Sequence, residues 1–303
     1  MFDPTTMTQP SRRAVLAGGG AAILGSALAM PGTALAQGQF PMWDFTLIDA
    51  EHQLVSTAEW RGKALFVHFF GSWCPPCRRE IPALAKAVQA MAGREDVRFV
   101  FLNALEPAAK TARWLDEIDV KIPLYDSLNR SREEQRMLRL DGTRVHNFRD
   151  LHVSIYPTTW VVDRAGIVRR VIAKEQNAWE SWAPTFLDEA LKAPYAPQAM
   201  AKPDELEWLY GTWRGMLDDI PQEVRIVRGT DGVPQWGMGR PGEIRGMRPV
   251  KAATKDEVLL AASFNSGNST RLLARPGKPI AGAYLFDRKR GLVTPSFERV
   301  NGA

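Results

Sequence analysis

Apolar and polar positions alternate along this chain with two different textures. From residue 43 to about residue 192, short apolar runs alternate with segments of helical periodicity. Residues 43–49, Trp-Asp-Phe-Thr-Leu-Ile-Asp, alternate as an early strand does, and residues 53–56 supply its hairpin partner. Residues 64–70, Ala-Leu-Phe-Val-His-Phe-Phe, are apolar throughout except for His68 and predict a buried central strand. Residues 83–91 place good helix formers and apolar positions at helical spacing. A strand is then expected at 97–103, a helix at 108–118, a connector at 123–126 and a charged helix at 132–140. The runs 156–162 and 167–172 flank Arg164-Ala165-Gly166 and predict a hairpin, closed by a helix at 179–192. Strands alternating with helices, then a hairpin and a last helix, predict an α/β layer sandwich over residues 40–193.

Residues 194–204, with Pro194, Pro197 and Pro203, follow as a stiff linker. Beyond it, over residues 205–303, short alternating runs are separated by turn signals such as Thr230-Asp231-Gly232 and Asn265-Ser266-Gly267-Asn268. They predict a small all-β sandwich or barrel of about six to eight strands. Gly211-Thr212-Trp213 at its start resembles the opening of lipocalin-like barrels, with Trp213 expected as a core plug.

Composition narrows the function. At 303 residues the chain can bury large cores without disulfide staples. A net charge of +5, spread along the chain with no basic run interleaved with aromatics, argues against a nucleic-acid partner. Residues 1–36 hold Arg12 and Arg13, a soft Gly/Ala-rich apolar stretch, and small residues at Ala34 and Ala36 before a cut expected at Gln37. This segment resembles a twin-arginine (Tat) export signal, which implies a periplasmic protein in an oxidising space. No later stretch is apolar for the ~20 residues of a membrane helix, so no span is expected after cleavage.

The chain has two cysteines, and both lie in Trp73-Cys74-Pro75-Pro76-Cys77-Arg78-Arg79-Glu80-Ile81-Pro82. The strand before and the helix after place Cys74 at or near a helix N-terminus, where free peptide N–H groups and the helix dipole favour a thiolate. A structural zinc site needs about four ligands, and no second cysteine pair exists. Cys74 is therefore the expected nucleophile and Cys77 the resolving thiol. Pro75 and Pro76 restrict the loop and remove two N–H donors, which favours a reductant over an oxidant.

This motif, together with Tyr156-Pro157-Thr158-Thr159-Trp160, resembles the TlpA/ResA/DsbE-like branch of the thioredoxin superfamily over residues 40–193. The resemblance implies a thioredoxin-like fold and a thiol–disulfide oxidoreductase. Pro157 is then expected to be cis and to present Tyr156 to a client peptide, while Trp73, Pro75 and Pro76 border the substrate. Glu80 would tune the thiols, since an anion beside a thiolate raises its pKa. His68 falls where thioredoxin has a buried aspartate, and would relay a proton or serve simply as a core histidine. Ile155 stands where the family has glycine two residues before the proline, which alters the substrate surface. No cofactor is implied beyond the redox-active cysteine pair. The partners implied are a disulfide-containing client, such as an apocytochrome c or copper-site precursor, and an upstream thiol donor protein. A copper chaperone using the same cysteines is the alternative, because soft thiolates select Cu(I). A peroxidase ranks last, for want of a lone peroxidatic cysteine after Pro and Thr.

Overall fold

A computed structural model describes residues 39–42, 44–128, 137–145, 151, 153–197, 199–244, 246–250, 252–264, 267–286 and 291–300. The export-signal segment, Trp43, His146 and His152 lie outside these residues.

The first half is built on a six-stranded sheet. It contains β1 (Phe40–Pro41), β4 (Ala64–Phe70), β5 (Val97–Asn103), β6 (Leu124–Tyr125), β9 (Thr158–Val162) and β10 (Ile167–Ala173), in the order β1-β10-β9-β4-β5-β6. Strands β4, β5 and β6 run parallel, whereas β9 and β10 are antiparallel to their neighbours. Parallel neighbours need crossovers. The helix α1 (Pro75–Ala90) joins β4 to β5, and α2 (Ala108–Glu117) joins β5 to β6. A third helix, α3 (Trp179–Leu191), follows β10 and packs on α1.

The strand pleat sends alternate side chains to opposite faces. Along β4, Phe66 and Phe70 enter the core beneath the helices, with Ile81, Leu84, Trp179 and Leu187. Leu65, Val67 and Phe69 enter a second core with Phe45, Leu47, Tyr125 and Trp160. That second face is covered by a small antiparallel sheet of β3 (Leu54–Ser56), β2 (Phe45–Ile48), β7 (Met137–Arg139) and β8 (Arg144–Val145), in that order. Both faces of β4 are thus buried, which is why its sequence is apolar without alternation. The arrangement is thioredoxin-like, as expected.

Two local expectations are corrected. Residues 137–139, placed in a charged helix by their sequence, form β7, whose Leu138 pairs with Thr46 of β2; the earlier part of that helix lies outside the described residues. The connector at 123–126 contains β6, recruited by pairing with β5 through Phe101 and Leu124. Two- and three-residue strands are too short to show a period, so pairing decides them.

The remainder forms a ten-stranded antiparallel sheet: β11 (Gly211–Leu217), β12 (Ile220–Arg228), β13 (Pro234–Gly239), β14 (Arg248–Pro249), β15 (Ala252–Thr254), β16 (Glu257–Ser263), β17 (Ser269–Ala274), β18 (Ile280–Leu285), β19 (Leu292–Val293) and β20 (Ser296–Arg299). This exceeds the six to eight strands expected, because β14, β15 and β19 are two or three residues long. The two edge strands, β14 and β15, are nearly consecutive in sequence, so the sheet curls into a half-barrel. Inside lie Trp213, Val224, Ile226, Trp236, Leu260, Leu272, Ile280 and Phe297. Gly215 on β11 admits β20, since a Cβ there would stand 2.1 Å from the Ser296 carbonyl oxygen.

The outer face of this sheet packs on the small sheet of the first half. Ala283 and Leu285 meet Ile48, Leu54, Leu128 and Leu138, while Leu259, Ala261 and Leu273 meet Leu140. Ser269 Oγ accepts from Leu54 N at 2.9 Å, and Arg271 Nε lies 2.5 Å from Glu59 Oε1. Strands β16–β18 are therefore buried on both faces.

Candidate active site

Helix α1 begins at the cysteine motif, as expected. Cys74 is the N-cap in extended conformation, and Pro75 and Pro76 occupy the first helical positions. Proline suits those positions because its missing N–H would be unpaired there anyway. The helix also runs through Pro82, which leaves the Arg78 carbonyl without its helical donor.

Cys74 and Cys77 are joined in a disulfide, their Cα atoms 5.3 Å apart. The Cys77 N–H points at Cys74 Sγ, 3.3 Å away, so the cap that a hydroxyl or carboxylate usually makes is here made by sulfur. Cys74 is 3% exposed and Cys77 fully buried.

Beneath the pair is a group of buried polar side chains. The pleat that sends Phe66 and Phe70 under α1 sends His68 there too, among the rings of Phe66, Phe70 and Phe101. Its Nδ1 lies 2.8 Å from Thr159 Oγ1, on the residue opposite in β9. Its Nε2 lies 3.3 Å from Glu80 Oε1, without hydrogen-bond alignment. The other Glu80 oxygen, Oε2, accepts from Trp179 Nε1 and from the Gln176 backbone N–H, each at 3.0 Å. Burial pushes the Glu80 carboxyl up to about 7, opposed by the donors from Trp179 and Gln176 and assisted by the Glu175 charge. Burial also lowers His68 to about 3. The separation alone would suggest an ion pair, which would shift both groups the opposite way. With both side chains fully enclosed, desolvation outweighs that attraction. The imidazole is neutral at ordinary pH, and Glu80 is the group that exchanges between acid and carboxylate near neutrality.

A second carboxylate fixes the approach to the disulfide. Glu106 is buried and accepts from Ser72 N at 2.5 Å, Ser72 Oγ at 2.8 Å and Thr111 Oγ1 at 2.8 Å. Trp73 Nε1 donates to the Ala104 carbonyl at 2.8 Å, and its ring meets Tyr156 edge-on at 5.7 Å. The Tyr156–Pro157 peptide is cis. Burial raises the Tyr156 phenol above its ordinary range. Ile155 beside it is 40% exposed.

The structure thus gathers Cys74, Cys77, Trp73, Pro75, Pro76, Glu80, His68, Tyr156 and Pro157 around one helix N-terminus. Glu106, Thr159, Gln176 and Trp179 were not anticipated. Their contacts depend on which strand or loop arrives opposite, and the pairing of Thr159 with His68 is a matter of register alone. Among the described residues no three His, Cys, Asp or Glu side chains converge as a metal site would require.

A disulfide capping a helix on a thioredoxin-like sheet defines the class. A model of the AhpC/TSA family matches residues 39–171. The chain is 28% identical over 129 residues to the thiol-disulfide oxidoreductase ResA of Geobacillus thermodenitrificans, a match covering 43% of this chain and 65% of that protein. It is 26% identical to the thioredoxin-like protein YneN of Bacillus subtilis, over 42% of this chain and 66% of that one. The thiol:disulfide interchange protein DsbE of Pseudomonas aeruginosa is 26% identical, over 52% of this chain and 78% of that protein. The chain thus spans less than two thirds of the first two relatives. Among solved structures, a putative DsbE from Chlorobium tepidum superimposes with a TM-score of 0.40 at 18% identity, over 50% of this chain and 95% of that one.

Proposed function

We propose that this chain is a thiol–disulfide oxidoreductase that reduces disulfides in exported proteins, in the manner of the ResA and DsbE proteins it resembles. The observation carrying this reading is the Cys74–Cys77 disulfide at the cap of α1, above a buried carboxyl poised near neutrality.

In the reduced protein, the Cys74 thiolate attacks one sulfur of a client disulfide. A mixed disulfide forms, and the other client sulfur leaves as a thiolate. Cys77 then loses its proton and attacks Cys74 Sγ, closing the Cys74–Cys77 disulfide and releasing the second client sulfur. Two electrons pass from the dithiol to the client. Glu80, held by Trp179 and Gln176, is the nearby titrating group suited to take the Cys77 proton as a carboxylate, and His68 beside it stays neutral. Pro157 and Tyr156 present backbone to the client, with Trp73, Pro75 and Pro76 at its border. A separate thiol protein returns the dithiol to its reduced state. The reading includes a periplasmic location after Tat export, with apocytochrome c or copper-site precursors as clients. The C-terminal half-barrel is read as lipocalin-like. Among the described residues no helix is long and apolar enough to cross a membrane.

The copper-chaperone alternative gains no support from the site, because His68 is engaged with Thr159 and Glu80. The test is capture. A Cys77→Ser variant should accumulate a mixed disulfide through Cys74, and Cys74→Ser should capture nothing. Equal capture by both variants would refute the assigned order.

A further inference from the structure

Helix α2 sets Lys110, Arg113, Trp114 and Glu117 on one side by steps of three and four. That side meets Ser72, Trp73 and Arg78 to enclose a groove of about 380 Å³. Ser72 and Trp73 immediately precede Cys74, and Arg78 lies on the first turn of α1. The groove therefore opens at the nucleophile's own turn.

Its charge is one-sided. Three cations line it against one exposed carboxylate, Glu117. Lys110 is partly offset by Glu106 below, 3.5 Å away. The Arg78 guanidinium lies over the Trp114 ring at 5.4 Å, which helps to hold it at the groove. Neither Arg78 nor Arg113 makes an ion pair with a carboxylate of the described residues, although Glu117 stands one turn from Arg113. Other arginines of this half are paired: Arg79 with Glu175, Arg94 with Asp96 and Asp188, Arg169 with Asp163, and Arg170 with Glu189. Two guanidinium groups without a carboxylate partner among the described residues thus line a groove next to the cysteine motif. Tyr156, which does not line the groove, meets the Trp73 ring edge-on, and its neighbour Ile155 is exposed, an apolar border.

We infer that the client segment flanking the reactive disulfide is extended and acidic, with its carboxylates received in this groove by Arg78, Lys110 and Arg113. Guanidinium groups match carboxylates in geometry as well as charge. The same cations disfavour a basic segment, so the groove selects among clients as well as attracting them. This inference rests on the disulfide-reductase reading above.

The test uses the pre-reduced full chain in single turnover, followed by tryptophan fluorescence. The substrates are two peptides, each with one internal disulfide, identical except for aspartates or lysines flanking one cysteine, and uncharged hydroxyethyl disulfide. At low ionic strength the aspartate peptide should react at least about fivefold faster than the lysine peptide. The ratio should fall toward unity between about 0.02 M and about 0.5 M salt. It should also collapse in the Arg78→Gln/Arg113→Gln variant and invert in Arg113→Glu. Equal rates for both peptides, with hydroxyethyl disulfide still reduced, would overturn this inference alone. So would a preference that survives the double substitution. Failure to reduce any of the three would overturn the reductase reading and this inference with it.

Discussion

The two halves of the molecule bury different kinds of matter. The half-barrel encloses an inner core of apolar side chains, from Trp213 through Trp236 to Phe297, and its buried acid Glu223 is paired with Arg214 and Arg225 at the surface. Beneath the disulfide, by contrast, the first half encloses His68 and Glu80, neither matched by an opposite charge, and Glu106, held by three hydrogen bonds. Enclosing ionisable groups costs free energy that an apolar core would not. A fold accepts that cost where chemistry uses the groups. The half-barrel, by this contrast, is built for packing, and the cost is concentrated under α1.

The contrast is sharpest for large-to-small changes in the apolar core. Phe297→Ala should destabilise the protein by about 3–5 kcal/mol in denaturant unfolding, while the reduced form that remains folded opens a peptide disulfide at the wild-type rate. A parallel loss of single-turnover rate would mean that the half-barrel takes part in the chemistry.

Next in size is the effect of pH on Glu80 and His68. The Glu80 carboxyl stands above its unfolded value of 4.5, at about 7. Its contribution to stability is full below 4.5 and is lost as pH rises through 7. His68 stands below its unfolded value of 6.5, at about 3, so its contribution is full above 6.5 and is lost as pH falls toward 3. Between 4.5 and 6.5 the two slopes oppose each other, and unfolding free energy should be nearly flat there. In Glu80→Gln the amide can keep the donors from Trp179 and Gln176, and the loss above neutrality should vanish. The gain over wild type should approach roughly 3 kcal/mol at high pH. Without an anion near Cys77, the thiols should also ionise at lower pH, seen as an alkylation profile shifted to the acid side. A Glu80→Gln variant no more stable than wild type above neutrality would remove the cost from the account.

Arg271→Met tests the seam between the halves. It leaves Glu59, with its other contact to the Ser56 N–H, short of a partner. A loss of about 1–3 kcal/mol is expected, with both halves still unfolding in one transition. Two separate transitions would show that the apolar contacts of the seam do not couple the halves without the Arg271–Glu59 pair. The smallest effect is expected at Arg79, whose pair with Glu175 is exposed; Arg79→Ala should leave the unfolding midpoint unchanged.

These comparisons also explain what the amino-acid order revealed. The layer sandwich was legible because β4 and β5 are long, nearly continuous apolar runs and the helices are long enough to show a period. The paired cysteines were legible because the segments around them change period at that point. Strand β7 was not, since its three residues are placed by pairing with β2. The start of α1 at Cys74 was legible as well, from the buried strand before the motif and the helix formers after it, and Pro75 and Pro76 suit a first turn. His68 and Glu80 could be named as separate candidates. Their convergence with Thr159, Gln176 and Trp179 depends on register and on a loop joining β10 to α3, which no local pattern encodes. Glu106 left no signal, because its task is set by the turn it holds.

The most direct measurement is electron accounting. Pre-reduced protein is mixed with an equimolar peptide disulfide and quenched with acid at intervals, and each species is identified by mass. Every peptide disulfide opened should be matched by one Cys74–Cys77 disulfide formed, through an early adduct on Cys74. Peptide reduction without closure of that disulfide, or an early adduct on Cys77, would contradict this.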